Sequence, residues 1–199
     1  MKKTILLVLS LCAFYSCTQS QEEKAEELVS IEVKKTLFKP ETYKPVETKV
    51  DSAFTPYDSP ELFDKYVVMS TYVSQMQDLE NEIEDQTSSM AIWGDPYQTS
   101  FGKHEYNTAK EKLNKAQDKL DALKQKAKKI YDECAVLVNG ERKFIGYKVS
   151  HNYRADNNAG QTLIGDEIFI VDKDFKTVLY RLEYDDYKKL MDDVKGEFE

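Results

Sequence analysis

The sequence is poor in the residues that mark several protein classes. Of 199 residues only three are cysteine, seven glycine and five proline. So few glycines exclude collagen-like and glycine-rich fibrous chains. Three cysteines, Cys12, Cys17 and Cys134, do not make a disulfide-stapled scaffold. The two histidines, His104 and His151, show no metal-ligand spacing with these thiols. The sequence contains no recognisable catalytic motif, and no cofactor is implied. Positive charge is also scarce: 28 Lys and Arg stand against 36 Asp and Glu, a net charge of -8. That argues against a nucleic-acid partner, which requires a basic face. The 41% hydrophobic and 12% aromatic content is too high for a wholly disordered chain. The length suits one domain, with or without an extended arm.

The N-terminus combines Lys2 and Lys3 with the apolar run Ile5–Phe14. A basic start and about ten apolar residues fit a secretory signal peptide. The run is too short to span a bilayer, which takes about 20 helical residues. At Phe14-Tyr15-Ser16-Cys17-Thr18 the chain resembles bacterial lipoprotein precursors, in which a small residue precedes a cysteine that is acylated. Ser16 and Cys17 match that pattern, whereas Phe14 stands where an aliphatic residue is usual. The resemblance covers about seventeen residues. It implies removal of residues 1–16, lipidation of Cys17 (palmitate being the usual probe) and anchoring in a bacterial outer membrane, facing the periplasm or the outside. The alternative is ordinary cleavage nearby and a soluble product. Acidic residues following the cysteine also resemble surface-exported lipoproteins of Bacteroidota, although here they begin only at Glu22. Loss of Lys2 and Lys3 leaves a mature chain of still more negative charge, so acyl chains rather than electrostatics would hold it to the membrane. Cys134 is then alone and reads as core filler.

From Cys17 to residue 58 no sustained helical pattern is evident. Pro40, Pro45 and Pro56 lie there, with Pro60 just beyond, and proline disfavours helix at and before its own position. The stretch reads as an extended tether. The competing reading is an edge strand within residues 28–38, where Ile31 and Val33 alternate with polar residues.

An α+β domain is expected over residues 59–199. Leu62, Tyr66, Met69, Val73, Met76, Leu79 and Ile83 recur at coiled-coil steps, predicting a helix over about 60–88. Tyr106, Ala109, Leu113, Ala116, Leu120, Leu123, Ala127, Ile130, Cys134 and Leu137 predict a second over about 103–138. The two read as an antiparallel hairpin, with intermolecular coiled-coil pairing as the alternative. Their connection holds Met90, Ile92, Trp93, Tyr97 and Phe101. These residues either plug the end of the hairpin or form an exposed patch that binds a partner.

Alternating residues then predict three strands, at about 142–154, 161–172 and 176–184, joined by tight turns into an antiparallel meander. A short helix follows at about 185–195. Residues 143–182, with Phe144-Ile145-Gly146-Tyr147-Lys148-Val149, His151 and Tyr153-Arg154-Ala155-Asp156-Asn157, resemble the C-terminal part of uncharacterised Bacteroidota lipoproteins. That resemblance brings no activity with it. A long helix before a meander also looks like cystatin-like or NTF2-like folds, an analogy of fold only. His151 is the one catalytic temptation, with Asp166 or Glu167 as neighbours from the next strand. The plainer reading is a histidine bonded within the sheet. Three functions follow in order: a non-enzymatic envelope lipoprotein binding an unidentified envelope protein or component, a small-ligand module with a pocket at Tyr147, His151 and Tyr153, and an enzyme centred on His151.

Overall fold

A computed structural model describes residues 19–94 and 99–198. The expectations for the leader, for Cys17 and for Tyr97 lie outside these residues. The chain is α+β, as its patterning predicts. It divides into two compact units, one built from the chain up to Ala53 with Ile145–Tyr187, the other from Phe54–Phe144 with the residues from Lys188 onward.

The first unit corrects the reading of residues 17–58. Gln21–Lys34 is a helix, α1. Ser20 opens it with a capping box: its hydroxyl accepts from Glu23 N–H, and the Glu23 carboxylate accepts from Ser20 N–H at 2.8 Å. Ala25, Val29 and Val33, spaced by four, form one fully buried stripe. Residues 28–38 therefore add no strand. The edge strand is instead β1, Lys44–Phe54. Pro45 is tolerated there because an edge leaves one row of amides without a ladder partner.

β2 (Phe144–Asp156), β3 (Thr162–Val171) and β4 (Val178–Glu183) complete a four-stranded antiparallel sheet in the order β1-β2-β3-β4, one strand more than the patterning predicts. Val149, Tyr153 and Ala155 of β2 share a face with Phe169 and Val171 of β3, and α1 lies on that face. Gly165 stands opposite Tyr153, and the tyrosine ring crosses it so closely that a Cβ there would fall 2.2 Å from ring carbon Cζ.

The second unit is a long helical hairpin. Pro60–Trp93 (α2) and Ser100–Val138 (α3) run antiparallel. Lys65 Nζ meets Glu133 at 2.6 Å at one end, and Trp93 lies edge-on to Phe101 at 5.6 Å at the other. Every position of the predicted α3 seam is buried or half-buried. Val73 departs from the α2 seam: it is 55% exposed, and Tyr72 is half-buried beside it. Both helices extend further toward the turn than expected, and α3 starts early because Thr99 caps it by accepting from Gly102 N–H. The last helix, α4 (Tyr184–Phe198), begins in the first unit and ends in the second. In the latter it buries Leu190, Met191 and Val194, and Asp193 accepts a 2.6 Å bond from Tyr66. At the root of the hairpin, Thr55 exchanges backbone and side-chain bonds with Lys143, and Phe54 meets Phe144 at 5.8 Å.

Candidate functional site

His151 is fully buried in the first unit, and both ring nitrogens are engaged. Tyr43 Oη lies 2.6 Å from Nε2, and Thr48 Oγ1 lies 2.9 Å from Nδ1. The direction of this chain can be deduced. Thr48 gives its one hydroxyl proton to Glu26 at 3.0 Å, so it must accept from Nδ1–H. Nε2 is then the acceptor, Tyr43 donates to it, and Ser30, 2.7 Å from Tyr43, donates to the tyrosine. The relay from Ser30 to Glu26 joins α1, β1 and β2. Burial holds the His151 pKa below its ordinary 6.5, against the pull of Glu26 and Glu167, which favours the neutral ring. Burial also pushes the Tyr43 hydroxyl up.

Glu167 stands directly opposite His151 in the ladder, as expected of a pairing candidate, but its carboxylate turns elsewhere. Arg181 grips it with two bonds, at 2.5 and 2.8 Å, and Tyr153 donates to it at 2.9 Å. Arg181 also reaches Thr36 at 3.1 Å, which ties the end of α1 to β4. Burial and then the Glu167 carboxylate push the Tyr153 pKa up to about 12. Among the described residues every buried side-chain nitrogen or oxygen has a partner. Among the described residues no group of three or more potential ligand side chains is placed to hold a metal.

The predicted pocket of Tyr147, His151 and Tyr153 does not form as one site. Tyr147 and Tyr153 share a face of β2 but lie six residues, roughly 20 Å, apart. Tyr147 stacks on Phe175 at 4.5 Å and accepts from Gln21. His151 is enclosed between them. Tyr153 alone lines an open cleft of about 310 Å³, at the C-terminal end of α1 beside the β2–β3 turn. Around it stand Leu37, Phe38, Leu163, Asp166 and Glu183. Phe38 is 80% and Leu163 55% exposed, and Ile164, next to Leu163 but on the opposite face of β3, is 69% exposed. Asp166 has its pKa raised by burial first, then by Asp185 and Glu47, with Lys49 opposing.

In the second unit, Met90, Ile92 and Trp93 sit on the last turns of α2 and Phe101 on the first turn of α3. Ile92 is 70% and Phe101 62% exposed, so the hairpin tip is apolar and partly bare. Cys134 is buried, and burial pushes its thiol pKa up, as suits core filler. Among the described residues no helix is long and apolar enough to cross a membrane.

The sequence reading missed Tyr43, Thr48, Glu26 and Arg181. The first three lie in the supposed tether. Arg181 did carry a signal, being a lone cation in the alternating run Val178–Leu182. No family model, curated protein or solved structure matches this chain.

Proposed function

We propose that this protein is an envelope lipoprotein, anchored through acylated Cys17, whose sheet unit presents a binding cleft for a partner protein. The observation that carries the binding reading is the cleft itself: it is open and apolar-lipped, with a framework fixed by the Arg181–Glu167–Tyr153 cluster. Rigid walls and a few placed polar groups are what a recognition site requires. The enclosure of His151, with both nitrogens bonded to hydroxyls, favours a structural role for it. A small ligand is the second reading, because the cleft volume reaches the lower end of the small-molecule range. Topology also favours the cystatin-like analogy for the first unit, in which one helix precedes and covers an antiparallel meander.

Only Thr18, Gln19 and Ser20 separate Cys17 from the first residue of α1, so the acylated end lies within about 14 Å of chain from the folded unit. The cleft stands at the other end of α1, about 20 Å along a helix of 14 residues. The domain would therefore sit against the bilayer with its cleft displaced from it. Metabolic labelling with palmitate tests the anchor. Label is expected in the wild type and not in Cys17→Ala, which should move to the soluble fraction. An unlabelled wild type, or a variant that stays equally membrane-bound, overturns the reading.

A further inference from the structure

We propose that the outer edge of β3 at Thr162–Asp166 receives an extended, cationic peptide segment of a partner protein by strand addition. The inference rests on the binding reading above and names its mode and its partner's chemistry. The ladder with β2 covers all ten residues of β3, from Thr162 opposite Asp156 to Val171 opposite Tyr147. The ladder with β4 begins only at Glu167, opposite Glu183, and the chain then leaves the sheet at once as α4 starts at Tyr184. Five residues, roughly 16 Å of strand, thus have β2 on one side and no strand of the described chain on the other. Alternate residues of such a stretch turn N–H and C=O outward, a template for another strand.

The β1 edge and the overhanging end of β3 differ in how they are guarded. β1 carries Lys44, Pro45, Glu47 and Lys49, the residues that discourage pairing. The open stretch of β3 reads Thr-Leu-Ile-Gly-Asp, without lysine or proline, and its bulge lies at the far end, at Ile170/Val171. Leu163 and Ile164, on opposite faces, are the exposed apolar pair, and Leu163 opens onto the cleft beside Phe38. An added strand would set alternate side chains into that cleft, the usual arrangement of strand-addition recognition.

Charge selects the partner. Asp156, Asp166 and Glu183 line the cleft, and Glu47 and Asp185 lie near Asp166. Arg181 neutralises Glu167 alone. Lys49 near Asp166, Lys39 beside the β2–β3 turn and Arg154, opposite Ile164 in the ladder, still leave the balance acidic. A peptide alternating aliphatic with Lys or Arg residues complements this surface.

The test titrates the full chain, in detergent micelles, with a blocked peptide alternating lysine and valine, following backbone amide shifts. Its controls are a glutamate–valine peptide and the lysine–valine peptide N-methylated at alternate amides. Shifts are expected at Thr162–Asp166, and both controls should bind at least about tenfold more weakly. Ile164→Lys should abolish binding. Asp166→Asn, which leaves the edge intact, should weaken binding and flatten its salt dependence. Absence of binding by the basic peptide overturns the proposal, as does equal binding of either control or shifts centred on Ile92 and Phe101. Concentration-dependent shifts at Thr162–Asp166 without peptide also overturn it, assigning the edge to a second copy of the chain. Palmitate labelling is unaffected by any of these results, so the edge can fail while the anchor stands, and the reverse.

Discussion

The sheet unit and the hairpin are stabilised in different ways. In the sheet unit the partners of His151 come from 103 and 108 residues away in sequence. Seven of its side chains, among them Phe169, Ile170 and Val29, rank with the largest fully buried ones in the described chain. The hairpin contributes Leu62 and Phe63 to that group, both at its root, and nothing from α3. Its long stem instead uses small Ala109, Ala116 and Ala127, facing half-buried residues of α2. A dense core made of distant segments and a thin seam made of local repeats are two distinct routes to order. The first gives high local stability, and the second a stem that opens more easily along its length.

Phe169→Ala would strain this contrast most. It should cost the sheet unit about 3–5 kcal/mol, read by amide exchange in β2 and β3, with α3 amides near Ala116 keeping their protection. If α3 loses as much, the two units are one cooperative structure. Arg181→Ala comes next. It leaves the Glu167 carboxylate buried without a cation, at a cost of about 3 kcal/mol. The pair Arg181→Met with Glu167→Leu should recover part of that loss, since it removes the buried charge but leaves the Tyr153 hydroxyl without its acceptor. Ala116→Leu probes the hairpin: overpacking the seam should cost about 1–3 kcal/mol. The fluorescence of Trp93, the sole tryptophan, should follow that transition while β3 exchange is unchanged.

The smallest effect is pH-dependent. His151 has its folded pKa depressed by burial, so the unfolded chain takes up the proton first as pH falls. The contribution of the neutral ring is complete above 6.5 and is lost as pH drops through the lowered folded value. Tyr153 acts at the other extreme: its stabilising effect holds below 10 and fades as pH climbs toward about 12. Urea midpoints of the sheet unit measured across pH should show both limbs, with His151→Phe removing the acid one.

The same contrast governs what could be read in the sequence. The α3 seam was legible position by position because helix periodicity repeats locally and needs no partner to be recognised. The three C-terminal strands were legible through alternation, to within a few residues at each end. The first element was not. α1 is a single stripe of Ala25, Val29 and Val33 on an otherwise charged helix, and the prolines that follow it suggested extension. Its clearest mark, Ser20 with Glu23 three residues on, was overlooked. β1 has little alternation of its own, and its place at the sheet edge depends on β2, which comes some ninety residues later. Of the residues singled out at the hairpin tip, Trp93 and Phe101 stand in contact, while Tyr147, His151 and Tyr153 do not line one pocket. Sequence alternation gives the face on which Tyr147, His151 and Tyr153 lie, but not which of them a helix will cover.

The hydrogen bonds that tie Thr55 to Lys143 close the hairpin at its root, so the incoming and outgoing segments are held side by side there. Such an arm behaves as a ruler of adjustable length. Seven residues added to each helix would carry its tip roughly 10 Å further out while both ends stay where they are. The length of the stem can thus change without disturbing the pairing at its root.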